Sequence, residues 1–197
     1  MPTRAPSSRS SPRDARRVLL RPPRRSDADA FLHAVKASRP LHGAWVVPPS
    51  TREGFTSYVK RFGAVPEARR ESRTHAGFVV VERESGALAG VFNVSEIVRG
   101  IFQSAYVGYY AFAGFEGRGL MREGFALVLA EIFGPLHLHR IEANVQPRNA
   151  RSIALVTALG FRHEGIARRY LKIGGRWRDH ARYALLAEEW RQRRGRT

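Results

Sequence analysis

The segment from Tyr106 to Phe125 constrains the fold most, because it joins a strand pattern to a helix pattern through a glycine-bearing loop. The loop reads Glu116-Gly-Arg-Gly-Leu-Met121, with a glycine on each side of an arginine. Such a junction points several backbone N–H groups, and the positive end of a helix dipole, at one place in space. The loop is therefore predicted to bind a phosphate or pyrophosphate group, and the rest of the chain is expected to surround it.

Two common nucleotide-binding motifs do not fit this loop. A dinucleotide-binding G-x-G-x-x-G pattern needs glycine at position 122, where Arg122 stands, and the chain has no Gly-Lys followed by Ser or Thr. On its own, a Gly-Arg-Gly turn is equally compatible with an ordinary strand-to-helix connection. The function of the loop therefore has to be decided from the segments around it.

Hydrophobic periodicity predicts one mixed α/β domain with the element order β-α-α-β-β-β-α-β-α-β-β and a short final helix. An antiparallel meander precedes an αβα segment in this order. The first helix is predicted to begin with Ser26 as N-cap, and the fourth with Asn149 as N-cap. Strands are predicted at 17–21, 75–82, 87–98, 101–112, 137–145, from about 167 to 173 and at 176–186, and helices at 26–37, 50–63, 120–133, 149–160 and 187–194.

Positive charge is concentrated at the two ends of the chain. The formal net charge is +17, and residues 1–25 hold eight arginines against one acid, while the last seven residues hold four arginines. Residues 1–16 are predicted to be a disordered tail, residues 17–190 the folded domain and residues 191–197 a basic tail. The tails indicate either an RNA partner or a genome that favours Arg codons.

Several classes of protein are excluded by composition. The chain has no cysteine, so disulfides, cysteine-ligated zinc and a cysteine nucleophile are excluded. The pair His137 and His139 has no carboxylate or cysteine spaced to complete a metal site, so no metal is predicted. Apolar stretches are too short for a membrane helix, and no signal peptide is recognisable. A cytoplasmic protein without membrane contact is expected.

With its downstream segments, the loop resembles that of the GCN5-related N-acetyltransferase superfamily. In that family a strand, a Gln/Arg-x-x-Gly-x-Gly/Ala loop and a helix bind the pyrophosphate of acetyl-CoA. Gly117 and Gly119 match the family's loop, whereas Glu116 replaces Gln/Arg and Met121 replaces the final Gly/Ala. The resemblance narrows to ribosomal-protein-alanine N-acetyltransferases of the RimJ type, which have Gly-(Lys/Arg)-Gly-Leu-Met here, so that Met121 becomes a subfamily mark.

The resemblance covers roughly residues 17–190 and leaves out both tails. Its further marks are short motifs spread along the chain. They are Phe92-Asn93, Val98-Arg99-Gly100, Tyr106-Val-Gly-Tyr109, His139-Arg140-Ile141, Ala143-Asn144, Asn149, Leu159-Gly160-Phe161, Glu164-Gly165, Tyr170-Leu171 and Gly175-Arg-Trp-Arg-Asp-His180.

The resemblance implies the family's fold and its donor, acetyl-CoA. The fold would be a mixed, mostly antiparallel sheet of about seven strands with helices on both faces. The loop would hold the pyrophosphate, Asn149 and Ser152 would guide the pantetheine arm, and a strand amide would hold the thioester carbonyl. The implied donor-binding residues are Ala111, Phe112, Glu116, Gly117, Arg118, Gly119, Leu120, Met121, Asn149 and Ser152.

Transfer of an acetyl group to an amine requires a neutral amine, so a carboxylate or an ordered water has to take a proton. Glu164 and Glu142 are the candidates for this base, and a surface carboxylate is the plainer interpretation of either. By resemblance, Tyr170 would protonate the departing CoA thiolate.

The acceptor implied by the resemblance is the N-terminal Ala of a ribosomal protein, so the partner would be that N-terminus or the ribosome. RNA contact through the arginine-rich tails is a further hypothesis, and the enzyme is expected to be a monomer or a weak dimer. Acetylation of a small amine, such as an antibiotic or a polyamine, is an alternative. A non-catalytic RNA-binding or ribosome-assembly module with the same fold is another.

Overall fold

The computed structural model describes residues 16–43, 45–69 and 71–195. Of the predicted disordered tail, only Arg16 falls within these ranges. No helix in the described part of the chain is long and apolar enough to cross a membrane.

Seven strands form one sheet in the order β1-β2-β3-β4-β5-β7-β6. Six α-helices and two short 3-10 turns, at Arg25–Asp27 and Glu67–Arg69, complete the described chain. The strands are β1 Val18–Arg21, β2 Ala76–Glu82, β3 Leu88–Val98, β4 Ser104–Ala111, β5 Arg140–Val145, β6 Arg162–Ile173 and β7 Arg176–Leu186. The helices are α1 Ala28–Ala37, α2 Arg39–His42, α3 Arg52–Phe62, α4 Leu120–Phe133, α5 Ala150–Ala158 and α6 Ala187–Arg194.

Two apolar clusters cover the two faces of the sheet. The larger joins α4, α5 and α6 to one face, where Phe125, Leu129 and Ile132 of α4 are fully buried. The smaller joins α1 and α3 to the other face through Phe31 and Phe55, whose ring centroids lie 4.5 Å apart. Because alternate residues of a strand point to opposite faces, strands β2, β3 and β4 contribute to both clusters. The predicted fold class, a mostly antiparallel seven-stranded sheet with helices on both faces, is confirmed.

Only β4 and β5 run parallel within this sheet. Their pairing is short and ends where Tyr106 stands opposite Glu142. Beyond that point β4 continues beside β3 as far as Ala111, and β5 continues beside β7 as far as Val145. The two strands therefore separate into a fork that is open towards the N-termini of α4 and α5.

The start of α1 differs from the prediction. Ser26 is not the N-cap; instead the Asp27 carboxylate accepts a hydrogen bond from the Arg24 N–H at 2.8 Å and two from the Arg21 guanidinium at 2.8 and 2.7 Å. Arg21 is partly buried and forms an ion pair with Asp27, so Asp27 rather than Ser26 supplies the side chain that stabilises the turn. The ion pair and these hydrogen bonds lower the pKa of Asp27 against the opposing effect of burial.

Other elements also differ from the prediction. A short helix that was not predicted, α2, follows α1, and Pro40 lies in its first turn, where proline is compatible with a helix. Strand β6 begins at Arg162 rather than near residue 167, so it includes Glu164. Strand β5 begins at Arg140, because His137 has a φ of 51° and bends the chain before it.

Candidate active site

The fork between β4 and β5 provides a cleft at the middle of the molecule. Gly108 lies on β4 just past the last β4–β5 pair, is exposed, and has no atom within 4 Å of the place a Cβ would take. A glycine at such a point lets an extended ligand approach the strand backbone. Helices α4 and α5 follow β4 and β5 respectively, so both helix N-termini lie at the open end, where α/β sheets commonly bind ligands.

The loop before α4 is shaped for an anion by its backbone. Gly117 and Gly119 have φ values of 71° and 77°, a left-handed conformation that favours glycine. Helical hydrogen bonding in α4 begins when the Glu123 N–H donates to the Gly119 carbonyl at 3.1 Å. The N–H groups of Leu120, Met121 and Arg122 precede that bond and are oriented towards the loop, so the loop fits a pyrophosphate.

The loop's own side chains are engaged with the protein. The Glu116 carboxylate accepts the Gly114 N–H at 2.6 Å, and the Arg118 guanidinium forms an ion pair with Glu82 of β2. Leu120 is buried in the core, and Met121 packs so closely on Gly90 that any Cβ there would lie 2.4 Å from the sulfur. An anion held in this loop would therefore be bound mainly by the backbone.

Arg17 is a residue near the loop that the sequence did not single out. Its Nη1 donates to the Arg118 carbonyl at 2.9 Å and its Nε donates to Glu123 at 3.2 Å. Its Nη2 lies 3.3 Å from the place a Cβ on Gly119 would take. Arg17 thus places a positively charged group beside the loop at residues 116–121. In sequence it is hidden among the eight arginines of residues 1–25.

The N–H groups of Ala111 and Phe112, the two predicted donors to the thioester carbonyl, point in opposite directions. The Phe112 N–H donates to the Ala89 carbonyl at 2.9 Å, so the prediction that it holds a thioester carbonyl is wrong. Because hydrogen-bonding groups alternate in direction along a strand, the Ala111 N–H points the opposite way, towards the fork. On that side the Ala111 carbonyl accepts a hydrogen bond from His42 Nε2 at 2.9 Å, and burial lowers the pKa of this histidine.

The Asn149 side chain confirms the N-cap prediction for α5. Its Oδ1 accepts the Ser152 N–H at 3.2 Å, which leaves its amide NH₂ as a donor. The Ser152 carbonyl in turn accepts a hydrogen bond from the Tyr109 hydroxyl of β4, also at 3.2 Å. These contacts hold the first turn of α5 across the mouth of the fork from β4.

The two predicted carboxylates are linked through one arginine. Glu142 of β5 is 4% exposed and accepts hydrogen bonds from Arg140 Nε at 3.1 Å and from Arg182 at 2.9 Å. Glu164 of β6 forms an ion pair with the same Arg140, which lowers the pKa of the Glu164 carboxyl. Glu142 therefore lies at the apex of the fork, while Glu164 lies on the edge strand.

Tyr170 reaches the apex through a bulge in β6. The β6–β7 register shifts between Ala167 and Leu171, and within the bulge Arg169 has a φ of 47°. The Arg169 N–H donates to the Asp179 carboxylate at 2.7 Å, which fixes the bulge. Bulges of this kind re-aim a side chain next to a site.

In this position the Tyr170 side chain interacts with Tyr106. Burial, followed by this interaction, raises the pKa of Tyr170 to about 12, so its hydroxyl stays protonated at neutral pH. Since Tyr106 pairs with Glu142, the bulge brings Tyr170 to the apex carboxylate. Tyr106 and Asp179 were missed as site residues, because only the long-range pairing of β4, β5 and β6 reveals them.

Known proteins resemble this chain in sequence and in structure. The acetyltransferase (GNAT) domain family matches residues 17–162. The [ribosomal protein uS5]-alanine N-acetyltransferase of Escherichia coli strain K12 is 37% identical over 130 residues, which are 66% of this chain and 66% of that enzyme, just under two thirds of its length.

Two solved structures extend the likeness to most of the chain. RimJ of Mycobacterium smegmatis, solved with CoA-disulfide, has a TM-score of 0.77 and 30% identity and covers 87% of this chain and 83% of that one. The ribosomal-protein-S5-alanine acetyltransferase of Vibrio fischeri has a TM-score of 0.76 and 28% identity and covers 88% and 95% respectively. With its matched domain, its seven-stranded sheet and the glycine loop at its fork, the chain belongs to the GNAT acetyltransferase family.

Proposed function

We propose that this protein transfers the acetyl group of acetyl-CoA directly to the α-amino group of a protein N-terminus, with both substrates bound at once. The observation that carries the proposal is the fork. A loop whose backbone suits an anion lies at one end of it, and a tyrosine and a carboxylate lie at its apex. Donor and acceptor can therefore meet between β4 and β5 without a covalent enzyme intermediate.

The donor would lie along β4. The N–H groups that open α4 would bind the pyrophosphate, with Gly117 and Gly119 shaping the loop and Arg17 adding positive charge beside it. Asn149 and Ser152 would guide the pantetheine arm into the fork, where Gly108 leaves the backbone accessible. The Ala111 N–H would donate to the thioester carbonyl, whose oxygen gains negative charge when the amine attacks.

The proton transfers would take place at the apex. Glu142, acting through an ordered water, would accept the proton that the amine loses; Glu164 is placed less well, because it lies on the edge strand. The C–S bond then breaks, and Tyr170 would protonate the leaving thiolate from a hydroxyl that stays protonated at working pH. An α-amino group has a pKa of about 7.7 to 8.0, so a modest base is sufficient.

The acceptor we propose is the N-terminal Ala of a ribosomal protein, by extension from the two relatives named for acetylating S5. Both this chain and ribosomal proteins are basic, so an acceptor already seated on ribosomal RNA avoids mutual repulsion.

The arginine-rich tails would assist this docking in the cytoplasm, and trimming residues 1–16 should then flatten the salt dependence of RNA binding. Unchanged RNA affinity after trimming would contradict the role of the N-terminal tail.

Thiol release from acetyl-CoA tests the proposed reaction. The purified full chain is given a peptide beginning with Ala, the same peptide with an acetylated N-terminus, or a panel of antibiotics and polyamines. We expect turnover with the free peptide and none with the blocked one. Good turnover of a small amine with none of the peptide would overturn the proposed acceptor, and absence of acetyl-CoA binding by calorimetry would overturn the enzyme itself.

A further inference from the structure

The outer part of the β6–β7 hairpin is a basic surface of unusual composition. We call residues 166–178 the hairpin arm. The arm contains five basic residues and no acidic one: Arg168, Arg169, Lys172, Arg176 and Arg178. It lies at the edge of the sheet, since β6 is the last strand, and it turns at Gly174 and Gly175.

The arm exposes an aromatic ring among these cations. Trp177 is 60% exposed and pairs with Lys172 across the two strands, so the two side chains project from the same face. Among the ion pairs within the described residues, none involves Arg168, Lys172 or Arg176. The arm's positive charge is thus not neutralised by the fold.

From this surface we infer that the hairpin arm binds single-stranded RNA. Exposed aromatic rings stack on bases without regard to sequence, and flanking cations bind the phosphates on either side. Charge complementarity decides between the possible occupants. A second copy of this chain, with a net charge of +17, would place its own cations against the arm, whereas a polyanion pairs with them.

The arm's position relates this RNA contact to the acetyl acceptor. Tyr170 belongs to the arm, and the bulge that includes Arg169 directs Tyr170 to the apex of the fork. RNA bound along the arm would therefore lie beside the apex of the fork, where the amine of the acceptor is proposed to lose its proton. The RNA contact itself does not depend on the proposed acetyl transfer, and it uses residues other than those of the two tails.

RNA binding by the full chain is measured by fluorescence anisotropy with a labelled 12-nucleotide oligouridylate at several salt concentrations. The test variant carries Arg168→Ser, Lys172→Ser and Arg176→Ser. The matched control carries Arg25→Ser, Lys36→Ser and Lys60→Ser, which removes the same charge from the exposed surface of the opposite, N-terminal part of the domain. Trp177→Ala is tested separately.

We expect the arm variant to bind at least tenfold more weakly than the wild type in about 0.1 M salt. Its log–log salt slope should fall by about 2, since each single-strand phosphate contact contributes about 0.7. Trp177→Ala should weaken binding about tenfold with little change of slope, because stacking is not ionic. The control variant should bind within about threefold of the wild type.

Equal losses in the arm and control variants would overturn the inference, because they would indicate diffuse attraction by the overall charge. Unchanged RNA affinity in the arm variant, with a shift from dimer to monomer in sedimentation, would assign the arm to self-association instead. Acetylation of a free Ala-starting peptide should be the same as in the wild type in a double variant with only Lys172→Ser and Arg176→Ser, which leaves the bulge between Ala167 and Leu171 unchanged. Failure of RNA binding is therefore distinguishable from failure of the enzyme.

Discussion

The sheet is built differently on the two sides of the fork. On the N-terminal side, all seven residues of β2 are buried, and α4 fits closely over β2 and β3 where Gly124 meets Val80 and Phe92. On the other side, most of β6 faces solvent, and its contacts with the apex pass through polar side chains such as Arg140 and Tyr170. The loop proposed to bind the donor is thus supported by a packed core, whereas the side proposed to receive the acceptor is supported by hydrogen bonds and ion pairs.

This difference indicates which side of the fork should determine donor binding and which should determine turnover. A phosphate-binding loop made of backbone amides tolerates many changes of side chain if the glycines and the core behind it remain. The side chains on the acceptor side touch solvent and can change without disturbing the core. We therefore expect substitutions on the β4 side to alter donor binding and stability together, and those on the β6 side to alter turnover with little effect on stability.

Removal of the Tyr170 hydroxyl should have the largest effect on turnover. We expect Tyr170→Phe to lower kcat by about a hundredfold, equivalent to about 2.7 kcal/mol, because the thiolate loses its proton donor. Steady-state kinetics and thermal unfolding are compared with Tyr183→Phe, which removes the same atom from β7. A normal kcat in Tyr170→Phe would show that the thiolate leaves without this acid.

Asp179 should affect turnover only through Tyr170. Asp179→Ala frees the Arg169 N–H and relaxes the bulge, so we expect kcat to fall about tenfold with little change in KM for acetyl-CoA. In a double-mutant cycle, Asp179→Ala should cost nothing further once Tyr170→Phe is present. Additive losses would exclude a positioning role, and Asp29→Ala at an exposed site serves as control.

Gly119 tests the donor side. Its φ of 77° makes Gly119→Ala strained by about 1 kcal/mol, and the added Cβ would press on Arg17. Gly100→Ala carries similar strain, since its φ is 69°, but it stands in open space at the β3–β4 turn. Both should lose similar stability in urea, while only Gly119→Ala should weaken acetyl-CoA binding, about fivefold by calorimetry. Equal acetyl-CoA affinity in the two variants would contradict the assignment of the loop.

Local signals in the sequence were sufficient for the elements themselves. Helix α4 begins and ends as predicted, at Leu120 and Phe133, because a glycine loop, a periodic apolar face and Gly134-Pro135 mark it. Strand β7 and the final helix were also predicted to the residue. In each case the deciding residues are neighbours in the chain.

The arrangement of side chains at the site could not be predicted, because it depends on residues far apart in sequence. Arg118 lies in the predicted anion loop, yet its guanidinium pairs with Glu82, which is 36 residues away. The Phe112 amide is bound by Ala89 of the neighbouring strand, which no local pattern reveals. The fork itself follows from where β4–β5 pairing stops, a property of the whole sheet.

Glu164 should give the smallest effect and decide between the two carboxylates. Its pKa is lowered in the folded state by Arg140, so the pair stabilises the fold above the ordinary Glu pKa, and this contribution is lost as the pH falls from there through the lowered pKa of the folded state. Because the pair is partly exposed, Glu164→Gln should cost only about 0.5 kcal/mol at pH 7 and progressively less as the pH is lowered, by urea unfolding. Turnover should stay within about twofold of the wild type, since Glu142 remains at the apex. A hundredfold loss of kcat with stability intact would instead make Glu164 the base and move the proton transfer to the solvent-exposed edge of the sheet.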